Sequence, residues 1–289
     1  MAATALSHHS VTVNGVKLHY VRQGAGEPLL LIHGWPGFWF EWHRNIAALA
    51  EHFDVIVPDM RGYAYSDKPD LPPEAGYTDT AYAEDIKAFV DFYHLEKVRI
   101  VSHDFGAIWV QKFARTYPER LHKLMLFDPP YPGIGGRWFE LPHVMNTWYQ
   151  LFHQLPLAEE LVGSSKKATE VYLRHFLSAW SANKELWTDD EIAAYVEAYS
   201  QPGALRGGFN CYRAALRGGA YSGGGDLTIK TPTTVLWGDS DQILPFAWSD
   251  NLPQFFPNLT LKKIEGVGHF MMREDPERIN AEIIEFMRG

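Results

Sequence analysis

Residues 101–113 read VSHDFGAIWVQKF, a stretch that predicts a strand turning sharply into a helix. The β-branched run ends at Ser102, a helical pattern begins near Phe105, and Asp104 occupies the sharpest part of the turn. Backbone crowding in such a turn leaves little room for Cβ atoms, and the small residues Ser102 and Gly106 flank Asp104 at two positions on either side. The stretch therefore predicts a carboxylate projected from the carboxyl edge of a sheet. The other role open to Asp104 is that of a helix N-cap.

The rest of the chain repeats this alternation of strand and helix. An Asn-Gly dipeptide near the N-terminus predicts a tight hairpin, and the continuous apolar run PLLLIH is typical of a strand covered on both faces. Two further strand patterns, TPTTVLWG and LTLKKIEG, precede a terminal helix predicted from Pro276 to Met287. We therefore expect an α/β fold, with a mostly parallel sheet flanked by helices.

The alternation is missing between Pro129 and about Ser222. This middle stretch is rich in aromatic residues and helix formers, and it returns to the sheet through the glycine-rich segment RGGAYSGGGD. We expect a helical cap inserted into the sheet domain. The expected division is a first core part at 1–130, the cap at 131–221 and a second core part at 222–289.

The composition excludes two classes of partner. The chain of 289 residues has a formal net charge of −9 and no basic block among its 26 lysine and arginine residues, so we expect no nucleic-acid partner. The start, MAATALSHHS, lacks a basic region followed by an apolar stretch, and no run reaches the roughly 20 apolar residues of a membrane span. Cys211 is the single cysteine, which excludes an intramolecular disulfide. We therefore expect a cytoplasmic protein without a membrane partner.

Three other strand ends carry residues that complete a catalytic set with Asp104. The segment HGWPG follows the first apolar strand, and the N–H of Trp35 within it, together with that of Phe105, is suited to form an oxyanion hole. Asp241 follows a strand in WGDSDQILP, and His269 follows the last strand in EGVGHF. The order along the chain is therefore nucleophile, acid and histidine.

Over nearly its whole length the chain resembles the α/β-hydrolase superfamily. Within it, the chain is similar to the branch with an aspartate nucleophile, which comprises epoxide hydrolases, haloalkane dehalogenases and fluoroacetate dehalogenases. The resemblance rests on the segments HGWPG, PDMRGYAYSDKP, VSHDFGA, WGDSDQILP and GVGHF. It implies the α/β-hydrolase fold and a reaction that needs no metal or organic cofactor.

The resemblance also implies roles for the strand-end residues. Asp104 attacks an electrophilic carbon and becomes the acyl part of an ester, and water activated by His269 then hydrolyses that ester. Asp241 orients the imidazole and stabilises its charged form. Asp128, directly after a strand in LMLFDPPYPG, stands where some dehalogenases and certain epoxide hydrolases carry this acid. Asp241 is the favoured acid and Asp128 the alternative.

The choice between epoxide and halide depends on the residues expected around the substrate. Epoxide hydrolases that resemble this sequence use two cap tyrosines, which correspond to Tyr149 and Tyr212 and could donate phenolic protons to the opening ring. Haloalkane dehalogenases typically carry tryptophan after the nucleophile, and fluoroacetate dehalogenases carry arginine there and three positions later; this chain has Phe105 and Ile108. We therefore predict hydrolysis of an apolar epoxide. The alternatives are a dehalogenase with the same nucleophile and a non-catalytic ligand-binding protein of the same fold.

Aromatic residues make up 14% of the chain and favour an apolar substrate pocket. Beside Trp35 and Phe105, the residues predicted to line it are Phe38, Trp39, Trp148 and Phe152. Other tyrosines, among them Tyr172, are assigned to packing or to the pocket wall.

Overall fold

A computed structural model describes residues 6–221 and 225–289 and contains, within them, an eight-stranded sheet. The strands are β1 Ser7–Val13, β2 Val16–Gly24, β3 Pro28–Ile32, β4 Asp54–Pro58, β5 Val98–His103, β6 Leu121–Phe127, β7 Thr233–Gly238 and β8 Leu259–Ile264. Their order across the sheet is β1-β2-β4-β3-β5-β6-β7-β8. The pairs β1–β2 and β2–β4 are antiparallel, and every later pair is parallel. The predicted α/β-hydrolase fold with a mostly parallel sheet is confirmed.

Helices alternate with the strands as the sequence predicts. The α-helices are α1 Ile46–Leu49, α2 Pro73–Gly76, α3 Asp79–Phe92, α4 Phe105–Thr116, α5 Leu141–Asn146, α6 Trp148–Phe152, α7 Pro156–Val162, α8 Lys166–Trp180, α9 Asp189–Tyr199, α10 Ala204–Ala214, α11 Leu252–Phe255, α12 Met271–Glu274 and α13 Pro276–Arg288. Short 3-10 helices cover Trp39–Trp42, Pro118–Arg120, Pro132–Phe139 and Phe246–Asn251, and one π-helical turn covers Ala215–Gly219. None of the helices in the described part of the chain is long and apolar enough to cross a membrane.

The core lies on both faces of the sheet. Every residue of β4 and of β7 is buried, which is the pattern of strands covered by helices on each side. The terminal helix α13 buries Ile279, Ile283 and Met287, which are spaced four residues apart and therefore share one helix face. Burial of this helix face stabilises the last element of the fold against the sheet.

Six parallel strands end side by side at one edge of the sheet, and five of them are followed by candidate site residues. In spatial order these five strands are β3, β5, β6, β7 and β8, and parallel strands place their carboxyl ends at the same edge. The loops that follow them carry, in the same order, Trp35, Asp104, Asp128, Asp241 and His269. Residues far apart in the sequence are thereby brought to one edge.

Helices α5 to α10 lie in the chain between β6 and β7. They occupy the stretch in which the strand pattern is missing from the sequence. The expected boundary between 221 and 222 falls at residues 222–224, which lie outside the described residues, as do the first five residues of the N-terminal segment. The exact division into core and cap therefore stays a prediction.

Candidate active site

Asp104 lies on a strained turn between β5 and α4. Its backbone angles are φ 48° and ψ −124°, a region that residues with a side chain rarely adopt. The carboxylate makes no capping bond to α4; instead, Oδ1 accepts a hydrogen bond from the backbone N–H of Trp35 at 2.9 Å. A Cβ atom on Gly106 would lie 2.4 Å from the carbonyl oxygen of His33, so the tight turn requires glycine there. The carboxylate of Asp104 therefore does not cap α4.

His269 lies between two carboxylates. Its Nδ1–H donates to Oδ2 of Asp241 at 2.7 Å, and its Nε2 is 3.7 Å from Oδ2 of Asp104. The second oxygen of Asp241 accepts hydrogen bonds from the backbone N–H groups of Ile243 and Leu244 at 2.7 and 2.9 Å. Because both oxygens of Asp241 are bonded, this carboxylate is fixed and in turn orients the imidazole.

The surroundings of His269 favour its protonated form. Burial disfavours the positive charge, but the attraction and hydrogen bond of Asp241, and then the charges of Asp104 and Asp128, outweigh it and raise the pKa of His269 to about 10. The raised pKa favours an imidazolium between the carboxylates of Asp104 and Asp241 in the resting site. The charge on Asp104 is one of the contributions that keep the proton on the histidine.

Asp128 is next to this group but is not bonded to the histidine. Its Oδ1 accepts from the backbone N–H of Gly238 at 2.8 Å, and Oδ2 has no hydrogen-bond partner among the described residues. Burial, followed by the charge of Asp241, raises the pKa of Asp128 well above its ordinary value. His103, Asp128 and His269 each offer one atom that can bind a metal ion, and these three atoms lie within 4.8 Å of one another. A metal there would engage the same histidine that is paired with Asp241.

Two backbone N–H groups, those of Trp35 and Phe105, are the predicted oxyanion donors at Asp104. That of Trp35 donates to it directly, and the Trp35–Pro36 peptide bond is cis. Phe105 is the first residue of α4, so its N–H has no acceptor within the helix. The N–H of Trp35 thus contacts Asp104, whereas Phe105 follows Asp104 directly in the chain, and their joint action as an oxyanion hole stays a prediction.

A cavity of about 290 Å³ opens onto Asp104. Tyr149 on α6 and Tyr212 on α10 line it together with Asp104, and among the described residues of its wall Asp104 is the only charged one. The remaining wall is largely apolar and includes Phe105, Ile108, Trp138, Phe139, Leu151, Leu216, Ile243 and Leu244. The site is thus suited to an uncharged, largely apolar molecule.

The two tyrosines are packed against each other and against the loop after β3. Their ring centroids are 5.6 Å apart and nearly perpendicular, and Tyr149 stacks on Trp35 at 5.7 Å. Burial raises the pKa of both Tyr149 and Tyr212 well above the ordinary value, and the charge of Asp104 contributes in the same direction. Both phenols therefore keep their protons at neutral pH.

The four aromatic residues predicted for the pocket do not line this cavity in the described structure. Phe38 is buried against Tyr195, and the backbone N–H of Trp39 is bonded to Asp59. Trp148 is 44% exposed, and Phe152 packs on Trp148. Composition indicates an aromatic pocket but carries no information on which way each side chain points.

Other residues of the cavity wall are not predicted from the sequence, although the sequence carries a signal for some of them. Ile243 and Leu244 follow Asp241 directly, in the segment DQILP, and their N–H groups bind its carboxylate. Because these two residues bind Asp241, the position of the acid in the sequence also indicates that they lie near the site, and both line the cavity. Leu216 and Tyr221 have no comparable signal, because their placement depends on the π-helical turn after α10.

Comparison with known proteins finds one family, and several of the similar proteins are epoxide hydrolases. A family model described as "alpha/beta hydrolase fold" matches residues 27–276. The chain is 31% identical to a soluble epoxide hydrolase of Corynebacterium sp. (strain C12), with 98% of each chain covered, and 30% identical to epoxide hydrolase 1 of Caenorhabditis elegans, with 96% of this chain and 69% of the other covered. The solved structure of the epoxide hydrolase CorEH without ligand is 30% identical and superposes with a TM-score of 0.86, covering 98% of this chain and 99% of that one.

Proposed function

We propose that this chain, which belongs to the alpha/beta-hydrolase fold family and is a hydrolase, converts an apolar epoxide into a vicinal diol through a covalent ester on Asp104. The observation that carries the proposal is the cavity in which Asp104 meets two buried phenols, Tyr149 and Tyr212. The named epoxide hydrolases at about 30% identity support the same class of reaction.

In the first step, the carboxylate of Asp104 attacks one carbon of the epoxide ring. The bond between that carbon and the ring oxygen breaks, and an ester and an alkoxide form. Tyr149 and Tyr212 donate hydrogen bonds to the ring oxygen, and one of them gives its proton to the alkoxide, which is more basic than a phenolate. The proton on His269 then restores the phenol.

In the second step, His269 acts as a base on water. Esterification removes the charge of Asp104, which is one of the charges that raise the pKa of the histidine, and the neutral imidazole becomes easier to form. Water then attacks the carboxyl carbon of Asp104, and the N–H groups of Trp35 and Phe105 stabilise the resulting oxyanion. The ester C–O bond breaks, the diol leaves with a proton, and the carboxylate and the imidazolium are restored.

Asp241 is the proposed acid partner of His269. The distance of 2.7 Å between Asp241 Oδ2 and His269 Nδ1 supports this choice, whereas Asp128 accepts its hydrogen bond from Gly238. We propose that Asp128 contributes only to the electrostatic surroundings of the histidine.

The cavity wall favours an uncharged epoxide over a haloacetate. Phe105 and Ile108 occupy the positions after the nucleophile, and the described wall contains neither lysine nor arginine. The carboxylate of a haloacetate would be buried beside the carboxylate of Asp104 without a counter-ion, which is costly. An epoxide carries no charge and meets no such barrier.

We further propose that helices α5 to α10 act as a cap and that the protein works in the cytoplasm. The cap is supported by the position of Tyr149 and Tyr212 on α6 and α10, opposite a nucleophile that lies at the sheet edge. A reducing compartment is compatible with Cys211, a buried free thiol.

A substrate panel tests the proposed reaction. Purified protein is incubated with styrene oxide, 1,2-epoxyhexane, 1-bromobutane and fluoroacetate, and diol, bromide and fluoride are measured. We expect diol from the two epoxides and no diol from an Asp104→Asn variant. Release of halide without any formation of diol would overturn the proposal in favour of a dehalogenase.

A further inference from the structure

A second buried pair of histidine and carboxylate lies behind the candidate active site. His103 is the last residue of β5 and immediately precedes Asp104. Its Nδ1–H donates to Oε1 of Glu41 at 3.1 Å, and both side chains are almost completely buried. Glu41 belongs to the 3-10 helix Trp39–Trp42, which follows the loop that carries Trp35. The pair therefore joins this loop region to the turn of the nucleophile.

The ring of His103 contacts the histidine of the site. The ring centroids of His103 and His269 are 4.6 Å apart, at an angle of 56°. Asp241 holds His269 at one ring atom, Nδ1, and the ring of Trp180 approaches it edge to face at 5.3 Å. A single hydrogen bond leaves the imidazole free to turn about the N–O axis, so the orientation of its plane depends on these packing neighbours. His103 is the neighbour that is itself held by a carboxylate.

The chain makes room for this carboxylate at Gly37. A Cβ atom there would lie 1.9 Å from Oε2 of Glu41, which means that a side chain at position 37 and the carboxylate cannot share this space. Oε2 of Glu41 and Nε2 of His103 are also buried without a hydrogen-bond partner among the described residues. Buried polar atoms without hydrogen-bond partners destabilise a fold. The presence of two such atoms in Glu41 and His103 therefore suggests that the pair serves the function of the site.

We propose that Glu41 and His103 are positioning residues for His269: Glu41 fixes the ring of His103, and this ring fixes the plane of the imidazole that activates water. The inference rests on the proposed function, in which His269 acts as a base only in hydrolysis of the ester. Attack of Asp104 on the epoxide does not require that base. Loss of the pair therefore slows the second step and leaves the first step intact.

This separation has a kinetic signature. When two steps follow one another through a covalent intermediate and the first does not run backwards, slowing the second lowers kcat and KM together. The ratio kcat/KM is unchanged, since it then depends only on formation of the ester. A purely structural role in the turn of Asp104 would instead lower kcat/KM, because the nucleophile itself would be misplaced. The two roles are thus distinguishable in steady-state measurements.

The test compares Glu41→Ala, Glu41→Gln and His103→Asn with the wild type on styrene oxide. A misplacement of 1 Å can cost about 100-fold, so for Glu41→Ala we expect at least about a tenfold fall in kcat, a parallel fall in KM and an accumulated ester seen by intact mass spectrometry. Glu41→Gln keeps an oxygen that can accept from His103 and should restore most of the lost rate. His103→Asn tests the same step should Glu41→Ala fail to fold, as judged by thermal melting.

His19 offers a matched control, because it forms another buried pair with a carboxylate, at 2.8 Å from Asp59. We expect His19→Asn to leave kcat and KM unchanged. The inference is overturned if the variants of Glu41 and His103 lower kcat/KM in step with kcat, if they change nothing, or if His19→Asn has the same effect. Absence of turnover in the wild type would refute the proposed function, and this inference with it.

Discussion

A positive φ angle at Asp104 turns its carboxylate away from the N-terminus of α4 and towards the loop after β3. In an ordinary strand-to-helix turn, an aspartate at this position accepts hydrogen bonds from the helix. Here the backbone N–H of Trp35 provides the bond instead, and the carboxylate is left at the floor of a cavity. The chemistry proposed for this residue follows from the direction in which the turn points it.

Substitution of the two acids near His269 should have unequal effects. Asp241→Asn removes the partner of Nδ1 and should slow hydrolysis of the ester on the order of 10⁴-fold, as the loss of the acid does in other triads. Asp128→Asn should change this rate little, because Asp128 is bonded to Gly238 rather than to the histidine. Single-turnover mass spectrometry of both variants with styrene oxide measures the step directly. The reverse order of effects would assign the acid to Asp128.

The two tyrosines of the cavity should act in formation of the ester. Tyr149→Phe and Tyr212→Phe each remove one donor to the ring oxygen, and each should lower kcat/KM about 100-fold, the usual scale for loss of a proton donor. Tyr172→Phe is the control, since the Tyr172 hydroxyl lies 2.7 Å from Nε2 of His153, away from the cavity wall. Equal losses in all three variants would argue that the hydroxyls matter for packing alone.

The pKa of His269 also predicts how stability depends on pH. The value of about 10 in the folded protein is higher than the ordinary value of 6.5, so the stabilising contribution is complete below pH 6.5 and is lost as the pH rises towards 10. We expect the difference in unfolding free energy between wild type and His269→Gln to be largest near pH 6 and to shrink by pH 10. Urea unfolding of both proteins across this range checks the direction. A difference that grows with pH would contradict the assignment of an imidazolium.

The ends of the parallel strands explain why much of the candidate site is predictable. Asp104, Asp241 and His269 each follow a strand in the sequence, and neighbouring parallel strands must end at one edge. The prediction needs only the position of each strand end and the order of the strands. Contacts that depend on side-chain direction are less predictable. Trp148 adjoins Tyr149 on the short helix α6, but it is 44% exposed and does not line the cavity.

The pairing of Glu41 with His103 was not predictable for a related reason. Glu41 lies in a sequence of aromatic residues, FWFEWH, that reads as an amphipathic helix or as a pocket wall. The 3-10 turn after the loop of Trp35 buries its carboxylate, and the glycine at position 37 gives it space. No periodic pattern predicts such a local path of the backbone.

Glu191 links helix α9 to the sheet domain through ion pairs with Arg44 and Arg273. Its carboxylate accepts hydrogen bonds from Arg273 at 2.7 and 2.8 Å and from Arg44 at 3.0 Å. Burial opposes its charge, but these hydrogen bonds and one from the backbone of Thr188 lower the pKa of Glu191 to about 2. The ion pairs thus link an element of the proposed cap to residues on both sides of it in the chain.

Removal of this charge should destabilise the protein in a manner that depends on pH. Glu191→Gln leaves the buried guanidinium of Arg273 without its counter-ion and should cost about 3 kcal/mol at pH 7. Because the pKa is lowered in the folded state, the contribution is present above pH 4.5 and is lost as the pH falls towards 2. Urea unfolding at pH 7 and pH 3 measures both values. An equal difference at the two pH values would show that lost packing, not charge, is the cause.

Two parts of the chain contribute different groups to the proposed reaction. The sheet edge carries the nucleophile, the histidine, the acid and the backbone donors, whereas the helices between β6 and β7 carry the two phenols. The net charge of −9 is no obstacle to an uncharged substrate but opposes the approach of an anion. The overall charge and the cavity wall thus favour the same class of molecule.

A covalent ester on Asp104 distinguishes the proposed reaction from every other reading of the cavity, and it can be trapped. His269→Gln lacks the base for hydrolysis and is incubated with styrene oxide, followed by intact mass spectrometry and peptide mapping. We predict a mass increase of one epoxide per chain, located on Asp104, and none in the double variant with Asp104→Asn. Two results would refute an ester on Asp104: a His269→Gln protein left unmodified by aryl and alkyl epoxides that the wild type hydrolyses, or a modification elsewhere in the chain.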